Sequence, residues 1–153
     1  MLETPHVAIG AVIATKIPNP FIAIPLAFLS HFVLEKVPHW NPHIVTETKK
    51  YGMPTKRSIT IIAVDVTFAL VTGSLIAWQV MPNAKHALTI LAASFASVLP
   101  DLIESPYFFL KMRTKFLNDW LSFQKSLQVD TTPFWGLLNQ ALTIAAAILW
   151  LKN

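Results

Sequence analysis

Cysteine is absent from the 153-residue chain. That excludes disulfides and thiolate metal sites, so any metal-ligand set must come from His, Asp and Glu. Charge is scarce: charged residues make up 13 % of the sequence, against about 25 % in soluble domains, while 54 % is hydrophobic. This composition excludes an ordinary soluble domain and places residues 1–153 in the membrane class as one domain. Met1-Leu2-Glu3-Thr4-Pro5 lacks a basic n-region and a small-residue cleavage site, so no cleaved signal peptide is expected. No repeat or low-complexity tract is visible. The net charge of +4 does not call for nucleic acid, because the basic residues flank apolar runs. Topology and contact with anionic headgroups account for it.

What is present is a series of apolar segments. Residues 6–17 form a short one with Lys16 its only charge. At 1.5 Å per residue it reaches roughly 18 Å, short of a ~30 Å hydrocarbon core, which predicts a thin, broken or re-entrant span. Pro18-Asn19-Pro20 is a turn signal. Residues 20–38 make a second span, residues 39–57 a polar loop, residues 58–81 a third span and residues 82–85 a tight turn. Residues 86–110 make a fourth span, broken near Pro100. Residues 111–128 suit an amphipathic helix in the interface, and residues 133–151 form the last span. With five crossings, the inner side collects Lys36, Lys49, Lys50, Lys56, Arg57, Lys111, Arg113, Lys115 and Lys125, and the outer side Lys16, Lys85 and Lys152. That asymmetry obeys the positive-inside rule.

The chemistry concentrates in Ser30 to His43, which holds three histidines and a glutamate. At about 100° and 1.5 Å per helical residue, His31 and Glu35 lie on one face, roughly 6 Å apart along the axis. Imidazole and carboxylate one turn apart can hold one metal ion. The plainer reading is an ordinary polar pair on a helix. His39 continues the spacing, but Pro38 strains the helix there, so His39 belongs at the helix end.

Depth brings other residues to the same level. Asp65 lies eight residues past Arg57, about 12 Å below the inner surface. By the same count Asp101 is ~15 Å deep and Glu104 ~10 Å. His6 opens the first span on that side. An acid at the centre of a span costs about 2.5–3.5 kcal/mol on insertion scales. Leaving Glu35, Asp65, Asp101 and Glu104 unpaired would cost on the order of 10 kcal/mol. The spans hold almost no Lys or Arg to neutralise them. Divalent cations, protonated carboxyls or a water-filled cavity would do so.

Ser94, Ser97, Asp101 and Glu104 make a polar stripe on one helix face. The serines there suit either orientation of a ligand or close helix packing. Asn139 and Gln140 are expected to make interhelical hydrogen bonds, His43 and His86 to be solvated loop residues, and the Trp and Tyr residues to anchor at the interface.

Taken together, the early His6, the run Ser30-His31-x-x-x-Glu35-x-x-Pro38-His39, the lone Asp65 and Leu99-Pro100-Asp101 resemble the small membrane-bound metal-dependent hydrolases. Leu99-Pro100-Asp101 with the early histidine is also similar, less closely, to zinc-dependent phospholipase C relatives. The resemblance covers most of the first 110 residues, and the His-acid-His run is its most specific part. It implies that His6, His31, Asp65 and Asp101 are metal ligands. At position 35 this chain has Glu where that family more usually has Asp.

The expectation is an all-α polytopic membrane helix bundle of about five hydrophobic helices plus one interfacial amphipathic helix, in a prokaryotic cytoplasmic membrane. The candidate metal ligands are His6, His31, Glu35, His39, Asp65 and Asp101, holding one or two divalent ions, with Zn favoured over Mn or Mg. Glu104 is the candidate general base or second-metal ligand. The expected activity is hydrolysis of a phosphate ester or related ester of a lipid-like substrate at the inner leaflet. Membrane lipids and that substrate are the expected partners, with no nucleic acid. An intramembrane ion or proton pathway without hydrolysis is the alternative, because acids and histidines at one depth also build transporter sites.

Overall fold

Helix α1 (Glu3–Lys16) is apolar all round, and a helix with no polar face has to be surrounded. In the computed structural model, which describes residues 1–153, it is the axis of the fold: Pro5 to Ala8 and Gly10 to Ala14 are buried, and it touches α2 (Pro20–Leu34), α4 (Lys56–Trp78), α5 (Ala84–Phe109) and α7 (Pro133–Lys152). Small residues allow the approach. A Cβ on Gly10 would stand 2.8 Å from the Ser97 side chain and 3.0 Å from the Ala93 carbonyl, so α1 and α5 meet nearly backbone to backbone, as small residues permit in membrane bundles. The short first segment is one unbroken 14-residue helix, not a broken one. It is the helix the others enclose.

The chain is all α-helical, with seven helices. Three of them, α4, α5 and α7, are long and apolar enough to cross a membrane, rather than the five expected. α1 and α2 have 14 and 15 residues, about 21–23 Å, below what a ~30 Å core requires. α2 stops at Leu34 instead of running to residue 38. Pro38 drives its predecessor out of helical geometry, and the chain closes with tight turns in which Lys36 and Val37 donate to the Val33 and Leu34 carbonyls. Outward-facing side chains form a broad apolar belt, with Phe21 88 %, Phe68 61 % and Leu149 63 % exposed, as hydrocarbon contact demands.

Two further expectations change. Residues 39–57 are not a plain loop but contain α3 (Ile44–Tyr51), which ends at Gly52 with φ 80°, the left-handed position glycine adopts without penalty. Glu47 ties α3 to α4: its carboxylate accepts the Thr55 amide and the Ser58 hydroxyl, both at 2.8 Å. Those bonds, the amide's foremost, hold its carboxyl below the usual range. The second change is α5, which runs unbroken through Pro100 and Pro106. A proline removes one backbone donor and disturbs one turn, and here the Trp120 indole donates to the Pro100 carbonyl at 3.0 Å. Trp120 belongs to α6 (Lys115–Leu127), the amphipathic helix expected within 111–128, which packs on α5.

The helices alternate in direction. At one end Lys16 donates to the Leu151 carbonyl and His86 to the Ala14 carbonyl. His86 is thus half-buried on an orphan carbonyl of α1's last turn rather than freely solvated. At the other end Lys49 of α3 and Lys125 of α6 line one cavity with the N-terminus of α1.

At that end α7 starts against the segment that carries His39. A Cβ on Gly136 would sit 2.3 Å from the Trp40 amide nitrogen and 2.8 Å from the His39 carbonyl carbon. Backbone cannot yield to a methyl group cheaply. Gly136→Ala is expected to lower the melting midpoint by an amount in the overpacking range of about 1–3 kcal/mol and to displace His39. Thermal unfolding of the detergent-purified variant checks the first effect. Accommodation with no loss of stability would contradict the packing described.

Candidate metal centre

Four elements converge at the loop-rich end. α1 brings His6 a turn after its start. α2 brings His31, and its C-cap Glu35 follows one turn later, the Glu35 amide still bonded to the His31 carbonyl. α5 brings Asp101, just past Pro100. His39 lies beyond α2 on an extended stretch pinned by the 129–131 segment: its amide donates to Val129 and its carbonyl accepts from Thr131, each at 3.0 Å. His6, His31 and His39 are fully buried and Glu35 is 1 % exposed.

His6, His31 and Asp101 each offer a ligand atom, and the three atoms lie within 4.8 Å of one another. This buried His/His/Asp group could hold a metal ion. The tautomers suit it. His31 Nδ1 is 2.9 Å from the Ser97 carbonyl, and a ring nitrogen facing a carbonyl must carry the hydrogen. In that tautomer of the neutral ring Nε2 carries the lone pair, and it lies 3.5 Å from Asp101 Oδ1. His39 is arranged alike, with Nδ1 donating to the Val37 carbonyl at 2.8 Å and Nε2 3.5 Å from Glu35 Oε2. Metal-binding histidines are held this way, the second nitrogen donating to a backbone carbonyl or carboxylate. His6 stacks on His31 with centroids 4.1 Å apart, a close approach that neutral rings tolerate.

The orphans of the site mark it further. His6 Nδ1, His39 Nε2 and Glu35 Oε2 are buried with no hydrogen-bond partner. Native structures pair nearly all such atoms, and three lone-pair-bearing groups within one cluster are what a cation would satisfy. Glu35 Oε1 is engaged, by His6 Nε2 at 3.2 Å and by the Met1 α-amino group.

Of the residues singled out from the sequence, His6, His31 and Asp101 form the metal-competent group, with Glu35 and His39 beside it. Asp65 and Glu104 stand outside that group. Asp65 crosses to the start of α1, where its carboxylate accepts the Glu3 amide at 2.5 Å, the Thr4 amide at 3.3 Å and the Thr4 hydroxyl at 2.6 Å. It balances the positive end of a buried helix. Side-chain cations, metal ions, a proton or cavity water were the neutralisers expected from the sequence for this acid, and backbone amides of a helix start were not among them. Glu104 lines the same cavity as Asp101, and its Oε1 is buried without a partner.

Sequence reasoning missed Glu3, Gln124 and the role of Ser97. Glu3 lines the same cavity as Asp101, and its Oε2 is buried without a partner. It lies three residues before the apolar run of residues 6–17 and so fell outside the count of acids within the spans. The Gln124 amide donates to Asp101 Oδ1 at 3.1 Å and stands 3.4 Å from His31 Nε2, holding both toward one point. Its spacing from Leu117, the other buried residue of α6, was the available signal. Ser97 serves through its carbonyl, while its hydroxyl and that of Ser94 turn back onto α5. Both serines sit where Gly10 and Gly73 make their closest contacts, so close packing is their structural role. Asn139 and Gln140 do bridge segments: Asn139 donates to Pro38, and Gln140 accepts from Leu2 and donates to Trp40.

Asp101 is the open side of the centre. Its side chain is 24 % exposed, and it borders a cavity of about 770 Å³ that Glu3, Asp65 and Glu104 also line. A centre with buried ligands on one side and a cavity on the other can hold an ion and still admit a second molecule to it. No family model matches the chain, and no curated protein or solved structure matches it either.

Proposed function

We propose that the protein is a metal-dependent hydrolase of a polytopic membrane bundle in a prokaryotic cytoplasmic membrane, cleaving a phosphate ester or related ester of a lipid-like substrate at the inner leaflet. One observation carries the reading: a buried His6–His31–Asp101 group opens through Asp101 onto a cavity lined by further carboxylates. His6, His31 and Asp101 would hold the ion, and Glu35 and His39 beside them would be the ligands of any second one. Zn²⁺ suits the imidazole-rich donor set, and Mn²⁺ or Mg²⁺ would lean on the carboxylates. Bound there, a divalent ion supplies Lewis acidity and a water of lowered pKa.

The chain's own residues do the rest. Ser97 and Val37 hold the His31 and His39 rings so that Nε2 faces the centre. Gln124 orients Asp101. Glu104, unpartnered at the cavity wall, is placed to take a proton from an attacking water and return it to the leaving oxygen. Three helices long and apolar enough to span, the shorter apolar α2, and the exposed apolar belt support membrane residence.

The test is turnover by purified, metal-loaded protein on a panel of phospholipids and polyprenyl phosphates. Cleavage of at least one, abolished by His31→Ala, is expected. No cleavage across the panel, together with metal- or proton-coupled flux in proteoliposomes that Asp101→Asn stops, would overturn the hydrolase in favour of an ion pathway.

A further inference from the structure

The cavity at the centre is not a simple bowl. Its floor is the start of α1, with Glu3 and Val7, and its walls are α4 and α5. At the centre the walls carry acids. Along α4 from Asp65 to Gly73, a run of about 12 Å, and along the facing part of α5, they turn apolar. The inner end closes where three helices converge: a Cβ on Gly73 would lie 3.2 Å from both Ser94 Oγ and Val7 Cγ1. The side is open. Leu70 and Phe95 line the cavity, yet they are 68 % and 58 % exposed and belong to the apolar belt. The cleft therefore opens toward hydrocarbon rather than toward water. His43 and Lys49, from the α3 side, also line the cavity, and Lys49 makes no ion pair with a carboxylate.

A volume of about 770 Å³ is that of a pocket for one small molecule, typically about 300–1,000 Å³. Its contents are dictated by its two ends. An apolar channel entered from the bilayer takes a hydrocarbon chain. A free ammonium lining the same cavity as Asp101 takes an anionic head.

We propose that the α4–α5 cleft binds one hydrocarbon chain of a phosphate-headed amphiphile entering sideways from the bilayer, with Lys49 holding the phosphate at the mouth. Val66 and Val98, on opposite walls, set the width of the cleft and so the thickness of chain accepted. This rests on the lipid-like substrate of the hydrolase reading and specifies how that substrate is held.

The experiment uses binding, so that it is independent of turnover. A long-chain alkyl monophosphate carrying a mid-chain diazirine is photolysed with the full-length protein in lipid vesicles, and labelled peptides are mapped. Label is expected on α4 and α5 around Leu70 and Phe95, competed by unlabelled alkyl phosphate and not by the corresponding alkanol. Val98→Trp, which fills the cleft from a half-buried position, should cut cleft labelling about tenfold. Lys49→Ala should weaken competition by the phosphate without moving the label. Label spread evenly over the belt, including the exposed face of α7, would overturn the proposal from the wild-type map alone, whatever the fate of the Trp variant. So would cleft labelling that Val98→Trp leaves unchanged in a folded protein. Confined labelling without any turnover would instead retain the cleft and remove the hydrolase.

Discussion

Stripping divalent ions from the purified protein with excess chelator is expected to lower its melting midpoint, and added Zn²⁺ or Mn²⁺ to restore it. The reason is the density of buried, unsatisfied groups at one place. His6 Nδ1, His39 Nε2 and Glu35 Oε2 have no partner, and His31 Nε2 faces Asp101 with only a long approach from Gln124. An ion that binds the folded centre and not the unfolded chain stabilises by mass action, by about 4 kcal/mol at a free concentration a thousand times Kd. In a protein whose helices pack on a single central one, that stabilisation is shared by α1, α2 and α5 together. The effect should vanish in His31→Ala, which removes a donor from the centre. A midpoint unchanged after verified metal loss would remove the structural role assigned to the ion.

Asp101→Asn and Glu104→Gln should fail in different ways. Asp101 contributes a ligand atom to the group and is the one member facing the cavity. The amide keeps its volume and loses its charge, so metal binding should weaken and turnover disappear. Glu104 lies on the cavity wall outside the group. If it moves the proton, Glu104→Gln retains the ion and loses about 10²–10⁴-fold in turnover, the usual worth of a positioned base. Metal content and turnover measured on the same preparations separate the two. Equal loss of metal in both variants would make Glu104 a ligand, and unchanged turnover in Glu104→Gln would leave the base unassigned.

Much of this was legible beforehand because spacing and depth are one-dimensional quantities. His31 and Glu35 one turn apart, Asp101 at the level of His31, and the sorting of Lys and Arg between the two ends all follow from residue counts along helices. The amphipathic α6 was legible from its own periodicity. What counting could not supply was enclosure. α1 is too short to span, and only its lack of any polar face hinted that neighbours surround it. Its burial created a helix N-terminus inside the protein, and the amides of that terminus donate to Asp65. Proline was over-weighted at position 100, where one lost donor did not end the helix, and correctly weighted at position 38, where the chain turned out of it. Contacts made through backbone or amide groups, such as the Ser97 carbonyl on His31 and Gln124 on Asp101, leave no mark in a search for charged or metal-ligating residues.

The central claim is that His6, His31 and Asp101 hold a divalent ion, and elemental analysis of detergent-purified, monodisperse protein tests it most directly. The account predicts at least one divalent ion retained per chain through gel filtration, Zn²⁺ foremost, and its loss in His31→Ala folded well enough to elute at the same volume. Wild-type protein that is folded, exposed to Zn²⁺ and Mn²⁺, and still retains neither would contradict it.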